Sequence, residues 1–135
     1  MNPTIINFKS LGDERGHLIA VEGGSSIPFE IQRVYYIYDT APGVDRGFHA
    51  HKKLNQVAIA LSGSCDMILD DGVEPVTVRL DRPNEGVLIR PRVWHYMKNF
   101  SKNCVLLVFA DAHYDESDYI RNYDAFTGWI AKQQQ

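Results

Sequence analysis

Arg46-Gly47-Phe48-His49-Ala50-His51 puts two histidines two residues apart in a strand-like run, followed by Gln56 and Gly63. Side chains alternate across a strand, so residues i and i+2 share a face. His49 and His51 therefore aim into one space. Imidazole is the side chain best suited to moving protons near neutral pH. The plain alternative is a pair of buried, satisfied histidines. Arg46 beside the pair favours an anionic ligand over an apolar core.

Working outward, short β-branched and aromatic runs recur between turn residues. They predict strands at Thr4–Phe8, His17–Glu22, Arg33–Asp39, Gly47–His51 and Gln56–Leu61. Further strands are predicted at Cys65–Leu69, Pro75–Leu80, Val87–Arg90, His95–Phe100 and Cys104–Ala110. Asp70-Asp71-Gly72 is a hairpin signal, because the Asp-Gly pair readily adopts positive φ. Ser62-Gly63-Ser64 and the run from Asp81 to Gly86 mark further turns. Ten such runs in 135 residues imply one all-β domain spanning 1–135, a closed barrel or jelly roll.

The C-terminal part reads differently. Tyr119, Tyr123, Phe126 and Ile130 recur at helical spacing, with Trp129 beside the stripe. They predict a short helix laying an aromatic face on the barrel.

Composition narrows the function. The net charge is −3 with no basic surplus, which argues against nucleic acid and anionic membranes as partners. A positive patch must be local and suited to a small anion. No apolar run approaches membrane-spanning length, and the N-terminus lacks a charged leader with an apolar core. Cys65 and Cys104 sit in apolar runs and fit no metal or redox spacing. The expectation is a cytoplasmic protein with two buried thiols.

Gly-Phe-His49-x-His51, four residues, Gln56, six more and Gly63 resembles the first signature of the cupin superfamily. Gly86, Pro91, His95 and Asn99 resemble the second, with Pro91-Arg-Val-Trp-His95 one residue short and lacking the usual glycine. Metal-binding cupins place a glutamate where this chain has Gln56. A neutral amide is a poorer ligand for a hard cation. A metal-dependent dioxygenase or sugar isomerase using His49, His51, Gln56 and His95 remains the alternative reading.

Asp13-Glu14-Arg15-Gly16-His17-Leu18 and Arg46-Gly47-Phe48-His49 resemble the metal-independent deoxysugar-nucleotide epimerases. Gly47-Phe-His-Ala-His-Lys52, Leu61-Ser-Gly-Ser-Cys65, Leu69-Asp-Asp-Gly72 and Trp94-His95 resemble the dTDP-sugar 3,4-ketoisomerases more closely. So does Tyr114-Asp-Glu-Ser-Asp-Tyr-Ile-Arg121. The resemblance runs from Ile6 to about Ile130. It implies a cupin jelly-roll barrel that moves the ketone of dTDP-4-keto-6-deoxyglucose from C4 to C3. That step leads toward 3-amino-3,6-dideoxy sugars. The resemblance also implies a homodimer and no metal.

The chemistry agrees with the residues. Ketone migration needs a base at C3, an enediol and reprotonation at C4, with no redox cofactor; the chain carries no dinucleotide glycine pattern. The epimerase resemblance implies His49 as the base; the second histidine of the pair, His51, is then expected to be the proton shuttle, and the reverse division stays open. Arg33, Arg46 and Arg15 suit the diphosphate, Arg15 across a subunit boundary. Tyr35 shares the face of Arg33, expected to be the barrel interior, while Lys52 is a further substrate contact or a surface charge. Gln56 and His95 line the sugar site, and His17 ranks behind them at its mouth. Trp94 faces away from His95 and is expected to pack.

Overall fold

The computed structural model describes residues 1–135. Its strands are β1 (Ile5–Asn7), β2 (Leu11–Asp13), β3 (Gly16–Leu18), β4 (Arg33–Tyr38), β5 (Arg46–His51) and β6 (Gln56–Ser62). They continue with β7 (Cys65–Asp70), β8 (Pro75–Leu80), β9 (Glu85–Ile89), β10 (Trp94–Lys98), β11 (Val105–Ala110) and β12 (Tyr119–Ile120). A 3₁₀ turn at Glu116–Asp118 precedes β12, and helix α1 (Tyr123–Gln133) ends the chain.

Two five-stranded antiparallel sheets form the barrel, in the orders β1-β9-β6-β11-β4 and β12-β5-β10-β7-β8. Their inner faces close on one apolar cluster: Ala58 and Ala60 from β6, Met67 and Leu69 from β7, Leu106 and Val108 from β11, and Met97 from β10. Both sheets are also covered outside, which is why β6 is buried on successive residues instead of alternating. Val57, Ile59 and Phe109 meet Phe8, Ile27 and the 19–31 segment on one outer face. Ala50, Trp94, Ile120 and Phe126 pack on the other, as expected for Trp94. The all-β jelly-roll barrel with a short C-terminal helix is therefore the observed architecture. No helix is long and apolar enough to cross a membrane.

Strand β4 alternates cleanly. Arg33, Tyr35 and Ile37 turn inward while Val34, Tyr36 and Tyr38 are exposed. The Asp70 turn also forms, with the Gly72 N–H donating to Asp70 Oδ1 at 2.8 Å and Gly72 at φ 91°. Asn122 caps α1 by accepting from the Ala125 N–H at 2.9 Å.

Two expectations are corrected. His17–Glu22 is strand only to Leu18, and its partner is Leu11–Asp13, which carries no strand signal of its own. Beyond Leu18, Ile19 and Val21 cover the outside of the first sheet instead of pairing. Tyr119 is not on the helix either: it lies in β12, in register with His51 of β5. Its helical spacing from Tyr123 is accidental, because the chain turns at Asn122 before α1 begins.

Candidate active site

The polar end of the barrel is built around a bulge in β5. His95 pairs with His49 and Tyr96 with Gly47, so Phe48 is skipped. Gly47 stands at φ 107° and Phe48 at φ 59°. A Cβ on Gly47 would lie 2.9 Å from Tyr96 Cα, so only glycine fits there. The bulge turns Phe48 outward, where it stacks on Tyr96 at 4.7 Å. His49 and His51 are left on the inner face, as their i, i+2 spacing predicts.

His95 arrives from β10. Its ring lies 4.6 Å from His49 and 5.8 Å from His51, and His49 and His51 are 5.0 Å apart. His95 Nδ1 lies 3.1 Å from the Val93 carbonyl, which can only accept, so Nδ1 carries the proton. Burial pushes all three imidazoles below their ordinary value: His51 to about 3, His95 well below, and His49 in the same direction. For His51, the neighbouring His49, Arg33 and Arg121 add to the shift. Neutral imidazoles are what base catalysis requires.

Gln56 and Tyr35 close the floor. Gln56 is 1 % exposed, and its Oε1 accepts from the Tyr35 hydroxyl at 2.7 Å. Its Nε2 is buried without a partner. Burial raises the Tyr35 phenol well above its ordinary value, so it remains a donor.

A cleft of about 450 Å³ opens over His49, lined by Arg33, Tyr35, Arg46, Tyr119 and Arg121 among others. Arg33, Tyr35, Gln56, His49, His51 and His95 therefore converge, and Arg46 stands at the rim. Lys52 does not join them: it is exposed, with Nζ 3.5 Å from the Ser117 carbonyl, and lines neither cleft beside the histidines. Arg15 sits in the turn between β2 and β3, paired with Asp13 at 2.7 Å and 86 % exposed. His17 lines an outer groove with Ile19 and Leu61, away from the cluster.

Tyr119, Arg121 and Asp118 lie in the Tyr114–Arg121 segment that carries part of the family resemblance, yet none of them is among the site residues expected from the sequence. β12 brings the Tyr119 ring to 4.3 Å from His51 and 4.9 Å from His49. Arg121 Cζ lies 4.2 Å over the Tyr119 ring and makes two 2.8 Å bonds to Glu116, whose carboxyl is held down to about 2 by that pairing. The usable signal was the strand-compatible pair Tyr119-Ile120 between the Asp115 cap and the Asn122 cap.

The three imidazoles offer ring nitrogens within 4.8 Å of one another, close enough to share a cation. At the fourth cupin position stands a neutral amide, Gln56, a poorer ligand than a carboxylate, and its oxygen already accepts one hydrogen bond from Tyr35.

The FdtA family model, described as WxcM-like, C-terminal, matches residues 1–131. The chain belongs to the FdtA family. This FdtA-family chain is 53 % identical over 132 residues to the TDP-4-oxo-6-deoxy-alpha-D-glucose-3,4-oxoisomerase of Aneurinibacillus thermoaerophilus. That alignment covers 98 % of this chain and 95 % of the relative. A 3,4-ketoisomerase from Helicobacter canadensis superimposes with a TM-score of 0.94 at 48 % identity, over 97 % of this chain and 98 % of that one. The sugar 3,4-ketoisomerase QdtA from Thermoanaerobacterium thermosaccharolyticum, in complex with TDP, gives 0.94 at 45 % identity, over 98 % and 96 % of the two chains. A histidine-to-asparagine variant of QdtA is known in complex with TDP-4-keto-6-deoxyglucose.

Proposed function

We propose that this FdtA-family enzyme converts TDP-4-keto-6-deoxyglucose into the 3-keto sugar nucleotide, with His49 as the C3 base and His51 as the proton shuttle. The observation that carries the reading is the packing of two imidazoles 5.0 Å apart, His51 buried and His49 half-buried, beside an arginine-lined cleft. It is supported by the relatives that bear that activity.

Two protons leave in the reaction, from C3 and from the C3 hydroxyl, and two arrive, at C4 and its oxygen. His49 lines the cleft and takes the C3 proton, giving an enediol. His51, deeper in the same cluster, passes the hydroxyl proton across to the C4 oxygen, and the proton held by the histidines after C3 abstraction is delivered to C4 after exchange with solvent. Tyr35, Gln56 and His95 hold the sugar through hydrogen bonds, and Arg33, Arg46 and Arg121 meet the diphosphate. Arg33 is suited to this, because its Nε is buried with no partner in the chain. We also infer that the reaction needs no metal, a reading supported by the uncharged Gln56 amide at the fourth cupin position, whose oxygen accepts from Tyr35.

A homodimer is part of the same reading. It is supported by the apolar outer face of the edge strand β4, where Val34, Tyr36 and Tyr38 stand exposed. In the same reading Arg15 serves the partner's cleft, because within its own chain it pairs with Asp13 and lines neither cleft beside the histidines. A cytoplasmic location is supported by the two free thiols, Cys65 and Cys104.

Proton NMR of the purified protein with TDP-4-keto-6-deoxyglucose in heavy water, without added metal, tests this. The expected result is a 3-keto sugar with deuterium at C4. An unchanged substrate spectrum overturns the reading. His49→Asn should abolish turnover while TDP binding persists; equal loss of binding would make His49 a ligand contact instead.

A further inference from the structure

We propose that Asp118 is a positioning residue that fixes His51 as its Nδ1–H tautomer, leaving Nε2 as the nitrogen that accepts protons from the sugar. The inference rests on the shuttle role of His51 given above and names what aims it.

The Asp118 carboxylate is held in place. Its Oδ1 accepts from the Lys53 N–H at 2.9 Å and its Oδ2 from the Leu54 N–H at 3.2 Å. The backbone is clamped too, since the Lys52 N–H donates to the Asp118 carbonyl at 3.0 Å. The next residues, Tyr119 and Ile120, pair with His51 and Ala50. The 3₁₀ turn is thus fastened to the chain on both sides of the His51 peptide.

From that position Asp118 Oδ2 lies 3.4 Å from His51 Nδ1, with the two side chains 15 % and 2 % exposed. Neither nitrogen of His51 makes a hydrogen bond in the chain, so the Asp118 contact is a close charge pairing short of hydrogen-bond geometry, and no other group competes for Nδ1. An ionised carboxylate only accepts, so the nitrogen facing it must carry the proton. The other nitrogen then presents its lone pair. When His51 takes a proton, the carboxylate stabilises the imidazolium and the contact can shorten, as catalytic contacts do when substrate binds.

The clefts divide the same way. Asp118 lines a second opening of about 290 Å³ with His51, Lys53, His113 and Asp115, and His49 does not line it. His49 lines only the arginine-bearing cleft. The two histidines are therefore not equivalent: one is backed by a fixed carboxylate and the other is not.

The test is ¹⁵N NMR of the histidine side chains in wild type and Asp118→Asn, paired with steady-state kinetics on TDP-4-keto-6-deoxyglucose. In wild type, His51 should carry its proton on Nδ1. In Asp118→Asn, the amide NH₂ can donate to Nδ1 and move the proton to Nε2. With that change kcat should fall about 10²-fold. KM should move by less than about threefold, since the residue touches no substrate. A wild-type His51 protonated on Nε2 overturns the proposal whatever the variant does. So does an Asp118→Asn protein with an unchanged tautomer, or one with a changed tautomer and wild-type kcat. If wild type fails to isomerise the sugar, the functional reading fails, and the wild-type tautomer still decides the pairing.

Discussion

The Tyr35 hydroxyl donates to Gln56 Oε1 across 2.7 Å, joining β4 and β6, the two strands that flank β11, beneath the histidine cluster. That bond takes one of the two lone pairs on the only amide atom suited to a metal, and the amide brings no charge to a cation. Gln56→Glu would place a carboxylate next to three imidazole nitrogens that already lie within 4.8 Å of one another. The variant should retain about one equivalent of nickel or zinc after dialysis, and bind it at least ~10-fold more tightly than wild type. Elemental analysis and calorimetry measure both quantities. Wild-type turnover should survive chelator; loss of activity with loss of a stoichiometric metal would restore the metal-dependent reading.

Buried neutral histidines make stability depend on pH in a definite direction. Unfolded, an imidazole binds its proton near 6.5, whereas folded His51 binds one only near 3. His49 and His95 shift the same way. Between those limits the unfolded chain holds the extra protons, so stability falls as pH drops through about 6.5 and continues falling toward 3. One fully shifted histidine contributes a slope of up to ~1.4 kcal/mol per pH unit. Urea midpoints between about pH 7.5 and 5 should decline, and more shallowly in His51→Asn. The acid limb of the activity profile should lie below the ordinary imidazole value, because burial shifts the base His49 downward. A flat midpoint, or a rate halved near pH 6.5, would contradict the shifts.

The bulge at Gly47 gives a backbone prediction. Gly47→Ala adds a Cβ 2.9 Å from Tyr96 Cα, at a φ of 107° that alanine disfavours. The cost should be about 1–3 kcal/mol, read as a lower urea midpoint. The variant should also lose activity beyond what its folded fraction explains, because the bulge aims His49. Full activity in the folded fraction would show that the strand can be re-aimed without it.

The sequence was informative where physics is local. Strand alternation predicted the inward face of Arg33 and Tyr35, and the i, i+2 spacing put His49 and His51 together. Asp-Gly marked the turn after β7. What escaped was non-local. Asp118 meets the N–H groups of Lys53 and Leu54 from 65 and 64 residues away, which no periodicity reports. Tyr119 obeyed a helical spacing by coincidence, and a two-residue strand is too short to declare a period. The β2–β3 hairpin is exposed on both faces, so it carries no apolar alternation to read. The same exposure separates Arg15 from the cleft that its motif suggested.

That separation leads to the last prediction. Arg15 bonds only to Asp13 within its own chain and stands 86 % exposed, so a role at a cleft must be at a partner's. In such a dimer each cleft takes its histidines from one subunit and its Arg15 from the other. Arg15→Ala and His49→Asn homodimers should each be nearly inactive. When equal amounts are mixed and allowed to exchange, half the dimers carry one of each chain. In those, one cleft has both lesions and the other has neither, so about a quarter of wild-type sites should return. If Arg15 acts within its own subunit, every cleft keeps one lesion and mixing restores nothing. Tyr36→Glu, placed on the apolar face of β4, should block the recovery by preventing exchange into dimers, with sedimentation showing monomer.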